Sequence, residues 1–374
     1  MKVLGFMTGT SLDALDMAVL DTDGETISAF GPAGEYPWPE AARALLLETT
    51  QQALNWMRGT PEPAIFAEAR TVVAACHAEA VRAFAATHGL DLSMIDLIGV
   101  HGQTVLHERP TPERLGRTVQ LIDAEALSRA LGRPVVSDFR TRDVAEGGEG
   151  APLAPIYHRA RAIASGIDGP LAVLNIGGVA NITFMPAAGD PPDSLLAFDT
   201  GPGNGPMDLL LQQRGLGRFD QDGQLARRGQ IHSDRLAAYL AHPYFEAVPP
   251  KSLDRYDFSL DGVADLSDAD ALATLAAFTV AAVSRSLDHA PVRPDVMIVA
   301  GGGRHNPVLI AGLQSACAGV RVVSADDLGW RGDALEAEAF AYLAARSVRG
   351  LPLSFPGTTG VKGPLTGGTL TGRL

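Results

Sequence analysis

Apolar residues recur along this chain as short continuous runs that end in glycine-bearing polar turns. Val3-Leu4-Gly5-Phe6-Met7 and Met17-Ala18-Val19-Leu20 have strand length and composition, and Thr8-Gly9-Thr10-Ser11 between them has turn chemistry. The pattern predicts a strand, a turn and a returning strand. Pro170 to Asp190 repeats the layout around Gly177-Gly178, with Asn181 behind the turn. A second pair follows in each half of the chain. Residues 96–104 run an apolar strand into His101-Gly102-Gln103-Thr104, and residues 295–303 run another into Gly301-Gly302-Gly303. An ordered echo of this kind predicts two related α/β lobes whose strand-end turns face a common cleft.

Between these strands the period changes to that of helices. Helices are predicted over Pro39 to Met57 and Pro63 to His88, the second with Ile65, Ala69, Val72, Val73, Cys76, Ala80, Val81 and Phe84 at helical spacing and Gly89 as its stop. His77 and His88 read there as surface or capping side chains. Further helices are expected at Asp123 to Leu131, Leu153 to Ser165, Asp268 to Leu287 and Ala334 to Val348, with strands at Pro134 to Ser137 and Ser194 to Phe198. The Gly/Pro/Thr-rich tail must be pinned to the body to be ordered. The lobe boundaries are placed at 1–136 with 350–374 for the first and 137–349 for the second.

Length and charge narrow the class. A chain of 374 residues exceeds what one hydrophobic core usually serves. Apolar residues at 46% and charged residues at 20% are globular values, and no apolar run reaches the roughly 18 residues of a membrane span. No signal peptide is visible, and Cys76 and Cys317, far apart in sequence, read as reduced core thiols of a cytoplasmic protein. A net charge of −13 argues against a nucleic-acid surface but not against an anionic small molecule, which a local nest of backbone donors and Mg²⁺ can hold.

Candidate chemistry gathers at the turns. Gly9, Thr10 and Ser11 suit an anion, with Asp13 and Asp16 placed to hold its metal. His101, Gln103 and Thr104 at a strand end suit a polar ligand such as a sugar. Residues 137–155 interleave Asp138, Arg140, Arg142, Asp143, Glu146 and Glu149 with glycines, material for an active-site wall rather than a core. A carboxylate there can serve as general base, and an arginine can grip a substrate carboxylate or phosphate. Asp138 follows the strand directly and Asp143 lies deeper in the turn; local reasoning does not choose between them. Asp199-Thr200-Gly201-Pro202-Gly203-Asn204 opens a helix, an anion site by geometry and dipole, with Asp199 placed for hydrated Mg²⁺. The turn at Gly301 and Gly302, running to Asn306, suits an adenine or ribose.

Taken together, residues 9–16, 101–107, 138–155, 174–183, 198–204, 249–252 and 301–306 resemble the anhydro-N-acetylmuramic acid kinase family, in order and over nearly the whole chain. The resemblance implies a two-lobed actin-like ATPase of ribonuclease H-like duplication with a central interdomain cleft. It implies a homodimer that uses ATP, Mg²⁺ and water to open the 1,6-anhydro bridge and leave a 6-phosphate in cell-wall recycling. By the same resemblance, Gly9, Thr10, Ser11, Asp13 and Asp16 match the first phosphate motif. Gly177, Gly178, Asn181, Asp199, Gly201, Gly203 and Asn204 match the second phosphate and Mg²⁺ region, and Gly301, Gly302 and Asn306 the adenosine motif. Asp143 takes the catalytic position in the pattern D-x-A-x-G-G, and Glu336 a sugar-site position. Thr8 and Ala14 stand where the family usually has serine and glycine, and Leu253-Asp254 where a Thr-Gly pair is commoner. A levoglucosan-type kinase, an actin-like regulatory ATP-binding module and a metal-dependent phosphatase are the rival readings.

Overall fold

The computed structural model describes residues 1–9, 12–111, 113–253 and 257–374. They form two compact units, residues 1–166 with 334–374, and residues 167–333.

The first unit is built on β1 (Lys2–Thr8), β2 (Ala14–Thr22), β3 (Ile27–Pro37), β4 (Leu97–Val100), β5 (Gln103–Glu108), β6 (Arg117–Leu121), β7 (Val135–Ser137) and, from the tail, β13 (Thr369–Thr371). Its main sheet has the order β13-β7-β4-β1-β2-β3. β1, β2 and β3 are antiparallel neighbours, whereas β4 and β7 run parallel to β1. The second unit carries β8 (Leu171–Ile176), β9 (Val179–Met185), β10 (Leu196–Pro202), β11 (Val296–Ala300) and β12 (Arg321–Ser324) in the order β10-β9-β8-β11-β12. Again the first three are antiparallel and the last two parallel to β8. Setting aside β13 and the separate β5-β6 hairpin, the strand orders coincide. The sequence echo is therefore a topological repeat of the ribonuclease H-like kind.

Glycine decides how the first unit is covered. Gly5 and Gly99 lie opposite each other in β1 and β4. A Cβ at Gly5 would stand 2.0 Å from the Ala337 carbonyl, and one at Gly99 2.3 Å from that of Phe340. The helix Leu335–Val348 thus rests its backbone directly on the sheet, and a glycine that would weaken an ordinary strand is required here. This contact corrects the expected boundaries. The helix belongs to the first unit although it follows the whole of the second, and residues 137–166 stay with the first unit as well.

Other expectations also shift. β3 was not anticipated, because Gly31, Pro32, Gly34 and Pro37 interrupt its pattern; it is an edge strand, where such residues are tolerated. The β5-β6 hairpin was missed as well. The tail is pinned as expected, with Thr369 opposite Ser137 and Leu370 opposite Val136. In the second unit the helix Asp268–Ser286 buries most of its apolar residues; its stretch Asp268–His289 is long and apolar enough to cross a membrane, but 67% of the apolar window is covered by protein. Cys76 and Cys317 are free thiols, half-buried and buried.

His77 corrects the sequence reading outright. It is fully buried, with Nδ1 2.8 Å from the Val73 carbonyl and its ring 4.9 Å from Phe6 and 5.9 Å from Trp38. Burial lowers its pKa from 6.5 to about 4. The unfolded chain takes up that proton near 6.5 and the folded chain does not, so stability is lost as pH falls from 6.5 towards about 4. His107, lowered to about 4 by burial and then by Arg140, and His158, lowered to about 3 by burial, act in the same direction. Replacing His77 with Phe is expected to reduce the acid-side slope of stability by up to about 1.4 kcal/mol per pH unit. Urea titrations of both proteins between pH 7 and pH 4.5 measure it; identical slopes would refute the assignment.

Candidate active site

In the first unit the residues singled out from sequence gather at the ends of β1, β4 and β7. The turn after β4 is tied to the turn after β1: Thr8 Oγ1 donates to the Gly102 carbonyl at 3.0 Å, and Gln103 Nε2 donates to the Gly9 carbonyl at 3.3 Å. Thr10 and Ser11 lie outside the described residues. Leu12, at φ 56°, donates its N–H back to Gly9 and closes the turn, and beyond it Asp13 is exposed while Asp16 sits half-buried on β2 opposite Met7.

His101 is 2% exposed and accepts from Arg140 Nε through its Nε2 at 2.9 Å. Arginine only donates, so the neutral ring carries its proton on Nδ1. That nitrogen has no hydrogen-bond partner among the described residues, and neither does Oε1 of Gln103, which is 1% exposed. Burial, followed by the Arg140 charge, holds the His101 pKa well below 6.5. A buried N–H donor and a buried amide oxygen left without partners suit a polyhydroxylated ligand. Thr104 Oγ1 accepts from Gln120 at 3.3 Å. Glu336, at the start of the helix Leu335–Val348, is open to solvent, yet the protein mass around it raises its pKa while Arg140 opposes the rise.

Asp138 and Asp143 separate clearly. Asp138 is exposed, in left-handed backbone at φ 55°. Asp143 is 2% exposed, on a one-turn helix, Thr141–Ala145, where a plain turn was expected. Its Oδ1 accepts from the Gly150 N–H at 2.7 Å and its Oδ2 from the Thr359 hydroxyl at 2.7 Å. A Cβ on Gly148 would lie 2.2 Å from Oδ1. Thr359 is the residue the sequence reading missed, being 216 positions away in a tail read only as something to be anchored.

The second unit joins two glycine turns backbone to backbone and sets a third, at Gly301, against the end of β8. Gly203 and Gly205 donate to the Gly178 carbonyl at 3.0 Å each, and Asn204 donates to that of Gly177 at 2.7 Å. A Cβ on Gly203 would meet the Gly177 carbonyl at 2.2 Å, and one on Gly301 the Asn175 side chain at 2.3 Å. Gly302 comes close to Asn204, whose side chain donates to the Ile176 carbonyl at 3.4 Å. Asn306 stands apart in role: its Oδ1 caps the helix Pro307–Ala316 through Val308 N–H at 3.0 Å.

Asn175, Asn181 and Asp199 lie directly opposite one another on β8, β9 and β10, a polar row on one sheet face. Gly201 follows at an irregularity in the β9-β10 pairing. Asp199 Oδ2 accepts from Leu253 N–H at 2.8 Å, and the Asp199 N–H donates to the Lys251 carbonyl at 3.0 Å, so the loop through Pro249–Ser252 is docked along β10. Among the described residues no three His, Cys, Asp or Glu side chains form a metal cage. One carboxylate beside two amide oxygens matches instead the sparse protein contribution that Mg²⁺ takes when phosphates and water complete its shell.

The family model for anhydro-N-acetylmuramic acid kinase matches residues 1–372. The chain belongs to that family. It is 63% identical to the anhydro-N-acetylmuramic acid kinase of Caulobacter vibrioides, covering 100% of both chains, and 60% identical to that of Phenylobacterium zucineum, covering 99% of both. Among solved structures it is similar to a ROK family glucokinase from Streptomyces griseus, in complex with glucose and AMPPNP, at 13% identity and a TM-score of 0.42 over 92% of this chain and 100% of that one.

The crowding at Gly203 gives a direct test of the glycine junction. Gly203→Ala is expected to cost about 1–3 kcal/mol of stability from overpacking and to weaken ATP binding. Urea denaturation and calorimetric titration with ATP measure the two effects; an alanine variant with unchanged stability would refute the backbone contact.

Proposed function

We propose that this chain uses ATP and water to open the 1,6-anhydro ring of anhydro-N-acetylmuramic acid and phosphorylate O6, giving N-acetylmuramic acid 6-phosphate in peptidoglycan recycling. The observation that carries the reading is membership of the family over residues 1–372, with an aspartate in the D-x-A-x-G-G pattern that is buried and gripped on both oxygens. Asp143 accepts a proton from water as the water oxygen bonds to the anomeric carbon. The bond from that carbon to O6 breaks, O6 bonds to the γ-phosphorus, and ADP departs. His101, Gln103, Thr104, Arg140 and Glu336 bind the sugar. Gly9, Thr10, Ser11, Asp13, Asp16, Gly177, Gly178, Asn181, Gly201, Gly203 and Asn204 hold phosphates, and Gly301, Gly302 and Asn306 the adenosine.

Asp199 would hold Mg²⁺, which when bound neutralises phosphate charge. The protein acts as a cytoplasmic homodimer; analytical ultracentrifugation reads its mass.

Asp143→Asn keeps the shape of the side chain and removes the base. It is expected to lower kcat about 10²–10⁴-fold while leaving the Kd values for ATP and sugar near those of the parent. Joint loss of both bindings would mean a structural role instead. Incubation of the parent enzyme with ATP, Mg²⁺ and an anhydrosugar panel in ¹⁸O-water, read by mass spectrometry, should place one labelled oxygen at the anomeric carbon. Equal turnover of a sugar lacking the lactyl carboxylate would favour a levoglucosan-type activity, and ATP binding without product would favour a regulatory module.

A further inference from the structure

We propose that Thr359 is a positioning residue for Asp143, fixing which edge of the carboxylate meets the attacking water; the inference rests on Asp143 being the base. Thr359 is fully buried at the end of a single helical turn, Pro356–Thr359, that Gly360 closes in left-handed conformation at φ 79°. It holds the loop 143–149 at both ends. Its hydroxyl donates to Asp143 Oδ2 at 2.7 Å, and its carbonyl accepts the Glu149 N–H at 2.7 Å.

The grip is rigid because the segment carrying it is itself tied down. Thr358 Oγ1 accepts from the Phe355 N–H at 3.0 Å, and Leu353 and Leu365 bond across the chain at 2.8 Å. A carboxylate oxygen offers two acceptor directions. Gly150 takes one on Oδ1 and Thr359 one on Oδ2, and Gly148 beside Oδ1 leaves no room for a side chain of its own. One direction on each oxygen remains, and its orientation is set by the two donors. General-base catalysis depends on that orientation to within a fraction of an ångström.

Removing the hydroxyl frees the carboxylate to turn about its own axis, so the oxygen edge that meets the water is no longer fixed and kcat falls.

The test compares Thr359→Val, Thr359→Ala and Thr359→Ser with the parent enzyme, with Asp143→Asn as control, following kcat and the KM for ATP and sugar. The valine and alanine variants are expected to lose about tenfold or more in kcat with both KM values within about twofold. Serine should restore kcat to within about threefold of the parent. Should the valine protein fail to fold, serine and alanine still differ only by the hydroxyl and carry the comparison. Equal kcat for serine and alanine, with only melting temperatures changed, would overturn the positioning role while leaving the base in place. Full turnover by Asp143→Asn would instead overturn the base, and this proposal with it.

Discussion

Close approach of backbone to backbone, at points where no Cβ fits, is the constraint on which both units depend. In the first, a helix sits on two adjacent strands because Gly5 and Gly99 remove the side chains between them. In the second, Gly203 and Gly205 approach the carbonyls of Gly177 and Gly178, and Gly301 the end of β8, because none of the three carries a side chain. Buried peptide groups must be paired, and here the pairing is made turn to turn rather than along a ladder. The resulting junction carries polar groups on glycine-rich backbone at strand ends, the kind of surface that receives phosphate.

The repeated topology puts this constraint to different uses. In the second unit a two-residue turn joins β8 to β9, and the helix after β10 begins beside it. In the first, the longer connection between β1 and β2 is bound instead by the Gly102 carbonyl and Gln103. Gln103, which helps tie that turn down, and its neighbour His101 each carry a buried polar atom without a hydrogen-bond partner among the described residues. Support of the turn after β1 and a set of groups suited to a polar ligand thus come from one four-residue stretch.

Electrostatics in the first unit follows from burial. Burial, and after it the Arg140 guanidinium, keeps the His101 imidazole neutral; Arg140 fixes its tautomer by donating to Nε2 and opposes the upward shift of Glu336. Asp143 is supported differently, by a peptide N–H and a hydroxyl, donors without net charge. A carboxylate held by neutral donors is oriented without a cation holding its lone pairs in a salt bridge.

Much of this was legible in the chain itself. Apolar runs ending in glycine turns, repeated in order, determined the duplicated topology, because the alternation of strand and turn is a local property of residue type. The family motifs were legible for the same reason: each is a short contiguous stretch whose chemistry and backbone freedom travel together. What lay beyond reach was set by contacts between distant residues. His77 has the local surroundings of a surface histidine, and only the Phe6 and Trp38 rings make it a core residue. The helix Leu335–Val348 joins the first unit because two strand glycines more than 200 residues earlier make room for it. The family pattern already marked Asp143, but its burial beside an exposed Asp138, and the Thr359 hydroxyl on its carboxylate, exist only in the folded unit. No local pattern encodes such a contact, since its partners share neither a turn nor a period.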